Sequence, residues 1–284
     1  MRRFSQLLLA VAAIAGAGGC KASDAPNNAT VAVPKAPPIT LARLDCGRLA
    51  VKDFDAFFSD RPGFYPKGPR EITDSCYLIR HGEQEMMWDT GLSAGLKGGS
   101  QDIGPVVFHL DKTLAEQLAQ LGLKPADIDI VGISHMHPDH TGQAAEFTTA
   151  KLLIGKQDFE KTAGKDDPFG PWRGSGKPVT LLTADHDIFG DGSVVALHLP
   201  GHTPDHLALL VRLASGPVLL TGDLYHSTMA REKRGVPPFN TSRDETLASM
   251  DRFEKMAKEL GAKVIIQHEP ADIAKLPAFP AAAK

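Results

Sequence analysis

The sequence predicts an α/β domain, on three observations. Short apolar runs of strand length recur along the chain, two amphipathic helices interrupt them, and the densest polar clusters each follow an apolar run directly. Length and composition agree, since 284 residues with 42% hydrophobic and 23% charged content can build one sizeable core. A formal net charge of −3, with Lys and Arg scattered, offers no basic stripe for a phosphate backbone, so nucleic acid is not an expected partner.

The N-terminus reads as an export signal. Arg2 and Arg3 give a positive start, Leu7 to Ala15 an apolar run, and small residues lead to Cys20. The run is too short for a membrane span, which needs about 20 apolar residues. Ala17-Gly18-Gly19-Cys20 resembles the bacterial lipobox, with Ala17 where leucine is usual, which implies acylation of Cys20. Residues 1–19 are therefore expected to be a lipoprotein-type signal peptide, and 20–38, rich in Ala, Pro, Asn and Lys, a flexible tether. Residues 39–284 form the expected folded domain. The expected location is the periplasm, with the lipid anchor as the only tie to a membrane. An oxidising periplasm permits Cys46 and Cys76 to pair, which the sequence leaves open. The lack of any CxxC pair directs the search for metal ligands to His and Asp.

Within the domain, Cys76–Arg80, a turn at His81-Gly82-Glu83, and Met86–Thr90 read as two short strands. Asp111 is expected to cap a helix with Leu114, Leu118 and Leu121 on one face and Gly122 as its stop. Ile128–Ile133 is an apolar strand running into a histidine cluster, and Lys151–Ile154 is another. A Gly/Pro-rich loop spans 164–178, and strands follow near Val179, Val194, Leu207 and Val218. Ser242-Arg243-Asp244-Glu245 has the capping-box pattern and opens a helix carrying Leu247, Met250, Phe253, Met256 and Leu260, stopped by Gly261. A last strand, Lys263–Gln267, delivers His268.

His135-Met136-His137-Pro138-Asp139-His140 places four potential ligands in six positions after a strand. Residues two apart in an extended loop project alike, so His135 and His137 can reach one metal, while a turn at Pro138 swings Asp139 and His140 toward a second. Imidazole and carboxylate at this spacing suit zinc, with manganese, iron or cobalt as alternatives. Further candidates, His202, Asp223 and His268, also sit just past apolar strands, where loops at the edge of a rigid sheet build sites.

The ordered set HxHxDH, then His202, Asp223 and His268, resembles the metallo-β-lactamase superfamily of αββα-sandwich hydrolases over about residues 70–270. Trp88-Asp89-Thr90-Gly91 is similar to that family's DTG turn, and Gly201-His202-Thr203-Pro204 to its GHTPG loop, with Asp205 in place of the last glycine. The resemblance implies an αββα sandwich and two zinc ions. His135, His137 and His202 would bind one ion, Asp139, His140 and His268 the other, and Asp223 would bridge. It also implies hydrolysis by a hydroxide shared between the metals, with Asp139 accepting and passing on its proton.

Asp223 narrows the choice, because a bridging carboxylate is typical of lactonases, glyoxalase II and organophosphate hydrolases and absent from true metallo-β-lactamases. The chain ends soon after His268, without the helical region usual in glyoxalase II. The expected function is therefore opening of a lactone ring, with N-acyl homoserine lactones the expected substrate. A methyl-parathion-type organophosphate hydrolase or a β-lactam hydrolase is the alternative on the same site, and a non-catalytic surface-binding lipoprotein a remote one. A homodimer is compatible with the sequence.

Lactonases of this kind often carry tyrosine three residues after the bridging aspartate, where this chain has His226 beside Tyr225. Either residue is a candidate oxyanion donor. His81 is expected in a turn, His198 on a strand, His109 and His186 in loops, and His206 near the site. Met86, Met87, Trp88, Phe108 and Pro237-Pro238-Phe239 are candidates for the apolar wall of an acyl-chain pocket.

Overall fold

A computed structural model describes residues 37–284. The expected signal peptide, Cys20 and nearly all of the expected tether lie outside the described residues.

The first sheet contains β1 (Ile39–Val51), β2 (Arg70–His81), β3 (Gln84–Trp88), β4 (Gly99–Asp102), β5 (Val106–Leu110), β6 (Ile130–Gly132), β7 (Lys151–Gly155) and β8 (Val179–Leu182). Their spatial order is β4-β5-β1-β2-β3-β6-β7-β8. The half from β4 to β3 is antiparallel, and β3, β6, β7 and β8 run parallel. Four helices interrupt this half of the chain: α1 (Phe54–Phe58), α2 (Leu114–Gln120), α3 (Pro138–Thr141) and α4 (Lys156–Lys161). The cap of α2 is Thr113, not the expected Asp111. Thr113 and Glu116 exchange the reciprocal bonds of a capping box, whereas Asp111 instead receives Arg48.

The second sheet is β9 (His186–Asp187), β10 (Val194–His198), β11 (Leu207–Leu213), β12 (Gly216–Leu220) and β13 (Lys263–Ile265), in the order β13-β12-β11-β10-β9. Helices α5 (Thr228–Lys233), α6 (Arg243–Leu260) and α7 (Pro270–Ile273) complete the chain. Ser242 caps α6 by accepting from Glu245 N, and Gly261 ends it in the left-handed region at φ 58°. His109 and His186 lie on β5 and β9, not in loops, and His81 ends β2 bonded to Asp191 at 2.8 Å. Among the described residues no helix is long and apolar enough to cross a membrane.

Alternation along the strands makes the layers. Tyr77, Ile79, Met86, Trp88, Leu207, Leu209 and Val218 meet between the two sheets, while Leu78, Met87 and Val131 face outward beneath Leu114 and Leu118 of α2. On the far side, Ala208, Leu210 and Leu219 face Met250, Phe253 and Ala257 of α6. The result is helix, sheet, sheet, helix: the αββα sandwich. Met86, Met87 and Trp88 are wholly buried in it, so they are core and not the cavity wall the sequence suggested. Cys46 and Cys76 are joined by a disulfide linking β1 to β2, at a bulge between Asp45 and Gly47.

Candidate metal centre and active site

Strand direction gathers the site. Strands β3 and β6 run the same way in the first sheet, and β10, β12 and β13 the same way in the second. The segments leaving their C-terminal ends carry Asp89, His135 to His140, His202, Asp223 and His268. All seven residues expected as ligands come together there.

They fall into two groups. His135, His137, His202 and Asp223 each offer an atom within 4.8 Å of the others, as do Asp139, His140 and His268. In the first group, His135 Nε2, His137 Nδ1 and His202 Nε2 lie 3.0–3.1 Å apart. Asp223 spans the two. Its Oδ2 lies 3.4 Å from His202 Nε2 and 3.6 Å from His135 Nε2, while its Oδ1 lies 2.9 Å from His268 Nε2 and 3.3 Å from His140 Nε2. Asp139 Oδ2 is 4.0 Å from both His140 Nε2 and His268 Nε2.

Outer partners decide which nitrogen points inward. His202 Nδ1–H donates to Asn240 Oδ1 at 2.9 Å, His268 Nδ1–H to Thr73 O at 2.7 Å, and His140 Nδ1–H to Asp89 Oδ2 at 3.0 Å. Each turns its Nε2 toward Asp223. His140 Nε2 and Asp223 Oδ1 are buried without a hydrogen-bond partner. Ring nitrogens converging at 3 Å in the first group and orphaned polar atoms in the second are what cations relieve, so the donor set fits metal ions.

The electrostatics differ between the two groups. Burial pushes His135 and His202 well below the usual imidazole range, favouring the neutral, ligating form. Burial opposes charge on His140 and His268 too, but Asp223 and neighbouring carboxylates outweigh it, raising His140 well above the usual range and His268 to about 9. Burial alone would raise Asp223, yet His268, His140, His226 and His135 hold it well below the ordinary carboxylate range.

Residues outside the ligand set fix the loops. Asp89, in the left-handed region at φ 60°, accepts from Ser134 N, Ser134 Oγ, His140 Nδ1 and Gln267 Nε2 at 2.6–3.1 Å. Asp158 accepts from Thr203 Oγ1 at 2.5 Å and Met136 N at 3.2 Å, tying the His202 loop to the His135 loop. Asp205, which replaces a glycine of the motif, accepts from Gln157 N at 2.7 Å and meets His198 Nε2 at 2.9 Å. The roles of Asp158, Asn240 and Thr73 had no signal in the sequence, because each is set by a partner far along the chain.

Above the cluster lies a cavity of 310 Å³, lined on one side by His137, Asp139, Asp223, His226 and His268 and on the other by Leu49, Phe57, Phe58, Ile103, Val106, Phe108 and Phe239. Of the wall candidates expected from the sequence, Phe108 and Phe239 line it and Pro237 and Pro238 do not. The other wall residues arrive from β1, α1 and the β4–β5 hairpin. His226 lines the cavity, but Tyr225 does not. Its backbone is extended, so adjacent side chains point oppositely, and the Tyr225 ring packs on Phe253 while its hydroxyl donates to Glu254 Oε1 at 3.0 Å. Tyr225 is thus a core residue, not an oxyanion donor.

The metallo-beta-lactamase superfamily profile matches residues 71–268. The chain is 30% identical to the N-acyl homoserine lactonase AttM of Azorhizobium caulinodans over 223 residues, covering 70% of this chain and 83% of that protein. It is 32% identical to the AttM lactonase of Rhizobium radiobacter over 235 residues, covering 74% and 88%. A solved structure of Bacillus thuringiensis AiiA, with N-decanoyl-L-homoserine bound at its active site, has a TM-score of 0.74 at 20% identity, covering 87% of this chain and 100% of that one. The sandwich, the two ligand groups and these likenesses agree: the chain belongs to the metallo-β-lactamase superfamily, among the metal-dependent hydrolases that include the N-acyl homoserine lactonases.

Proposed function

We propose that the protein opens the lactone ring of N-acyl homoserine lactones, using two zinc ions, in the periplasm. One observation carries this reading: the ligand cluster floors a cavity whose opposite wall is almost wholly apolar and aromatic. That pairing suits a small polar ring bearing a hydrocarbon tail. His135, His137 and His202 would hold one ion and Asp139, His140 and His268 the other, with Asp223 shared. Bound there, the ions supply an activated water and positive charge against the scissile carbonyl.

The chain's own residues do the rest. Asp139 is the ligand carboxylate with a side chain open to the cavity, at 13% exposure. It accepts the attacking water's proton and returns it to the ring oxygen as the ester C–O bond breaks, leaving the N-acyl homoserine. Phe57, Phe58 and Phe239, with ring centroids 4.8–6.0 Å apart, form the seat for the acyl chain and keep bulk water from the reacting carbonyl. The Cys46–Cys76 disulfide and the lipobox-like start both support export to an oxidising compartment, with Cys20 acylated.

A substrate panel on zinc-loaded protein tests the reading: an N-acyl homoserine lactone, a phosphotriester and a cephalosporin, compared by kcat/KM. The lactone is expected to lead. Absence of lactone turnover, with hydrolysis of either rival, overturns it.

A further inference from the structure

Asp223 touches both ligand groups, so its two oxygens must keep separate directions. Two histidines outside the ligand set hold it. His206 Nδ1–H donates to Leu199 O at 3.0 Å, which leaves Nε2 to accept the backbone N–H of Asp223 at 3.0 Å. His226 Nε2 lies 3.0 Å from Asp223 Oδ2. Unlike the Nε2 contacts of His140 and His268 with Oδ1, this one has hydrogen-bond geometry, and because a carboxylate only accepts, His226 Nε2–H donates. The 3₁₀ turn Gly222–Leu224 brings His226 back over Asp223. Its ring is then fixed by Phe58, with centroids 4.5 Å apart, and by the parallel ring of His268 at 5.7 Å. His226 is 3% exposed.

We propose that His226 is a positioning residue for the bridging carboxylate and does not donate to the substrate's developing oxyanion. The inference rests on the dinuclear reading above. A hydrogen bond to a buried carboxylate is charge-assisted and stronger than one to a neutral carbonyl. Turning His226 Nε2–H toward substrate would leave Asp223 Oδ2 short of a donor and pull the ring from its stack. Held as it is, His226 aims Oδ2 at His135 and His202, while Oδ1 stays toward His140 and His268. Partners of this kind tune metal affinity by about 10–100-fold. His226 therefore acts on metal binding first and on turnover through it.

The test compares His226→Phe, His226→Asn and His226→Gln in the full protein. Three quantities are read: metal affinity against a competing chelator, the visible absorption of the cobalt-substituted protein, and lactone kcat and KM. His226→Phe keeps the stack but loses the donor, and is expected to weaken metal binding about 10–100-fold and shift the cobalt bands. Gln, long enough to present an N–H to Asp223, restores much of the affinity, whereas the shorter Asn does not. Unchanged metal affinity and cobalt spectrum in all three variants, whether kcat falls or stays, overturns the proposal. A protein without lactone turnover defeats the substrate assignment alone, because the metal and cobalt readouts still decide the role of His226.

Discussion

Asp89 Oδ2 receives the Nδ1–H of His140 at 3.0 Å, both side chains being fully shielded from solvent. The bond fixes the tautomer of His140 and directs its Nε2 toward Asp223. Asp89→Asn keeps the size and the tolerance of the left-handed backbone, but removes the charge that orients the imidazole. Metal affinity is expected to fall about tenfold or more, measured by chelator competition, with kcat falling in step at limiting metal.

Asp223→Ala removes the carboxylate proposed to be shared between two ions. Metal content is expected to drop from two ions per chain toward one, with turnover lost, by elemental analysis and kinetics on the same sample. Unaltered stoichiometry would refute the bridging role. Stripping the wild type with a chelator tests the same cluster from the other side. Ions present at a thousandfold excess over their Kd contribute about 4 kcal/mol of stability, so Tm should fall on chelation and recover on adding zinc.

The aromatic wall makes a prediction about tails. Phe239 is 40% exposed and stands 5.1 Å from Phe57 between centroids. Phe239→Ala removes about 1 kcal/mol of apolar contact, raising KM about fivefold for an N-decanoyl lactone. The change should be smaller for an N-butanoyl lactone, with kcat nearly constant for both. Equal effects on the two substrates would place the tail elsewhere.

Asp74 makes a pH-dependent contribution to stability. It is fully buried on β2 with both carboxylate oxygens unpartnered, and burial pushes it well above the ordinary 3.8. A raised carboxyl binds its proton more tightly folded than unfolded, so its contribution is fully present below 3.8 and is lost as pH rises above that value toward the folded one. Asp74→Asn should therefore gain Tm relative to wild type as pH rises from 4 to 8, with little difference at the acid end. Thermal melts of chelator-treated protein, free of nearby metal charge, give the comparison.

The clustered metal-binding candidates were legible in the sequence because their signal is local: four of them fall within six residues, and His202, Asp223 and His268 each follow an apolar strand. The sheet-facing sides of α2 and α6 were legible from their periodicity. Strand β1 was not, because Asp45 and Gly47 break its alternation at the bulge, and its pairing with β2 and β5 is not local. Leu49, Phe57, Phe58 and Ile103 depend on that pairing to reach the cavity. Tyr225 misled because adjacency in sequence became opposite faces of an extended segment.

Gly91 lies against the disulfide so closely that a Cβ there would meet Cys46 Cβ at 2.5 Å, and Leu92 N donates to Cys46 O at 3.2 Å. The Asp89–Gly91 turn is thus packed on the cross-link, and that turn orients His140. Closing the 30-residue span between Cys46 and Cys76 removes unfolded-state freedom worth about 3–4 kcal/mol. Production in a reducing cytoplasm therefore supplies a chain whose metal pocket rests on an untied support. Protein made in an oxidising compartment is therefore expected to present the better-supported pocket before any metal is added.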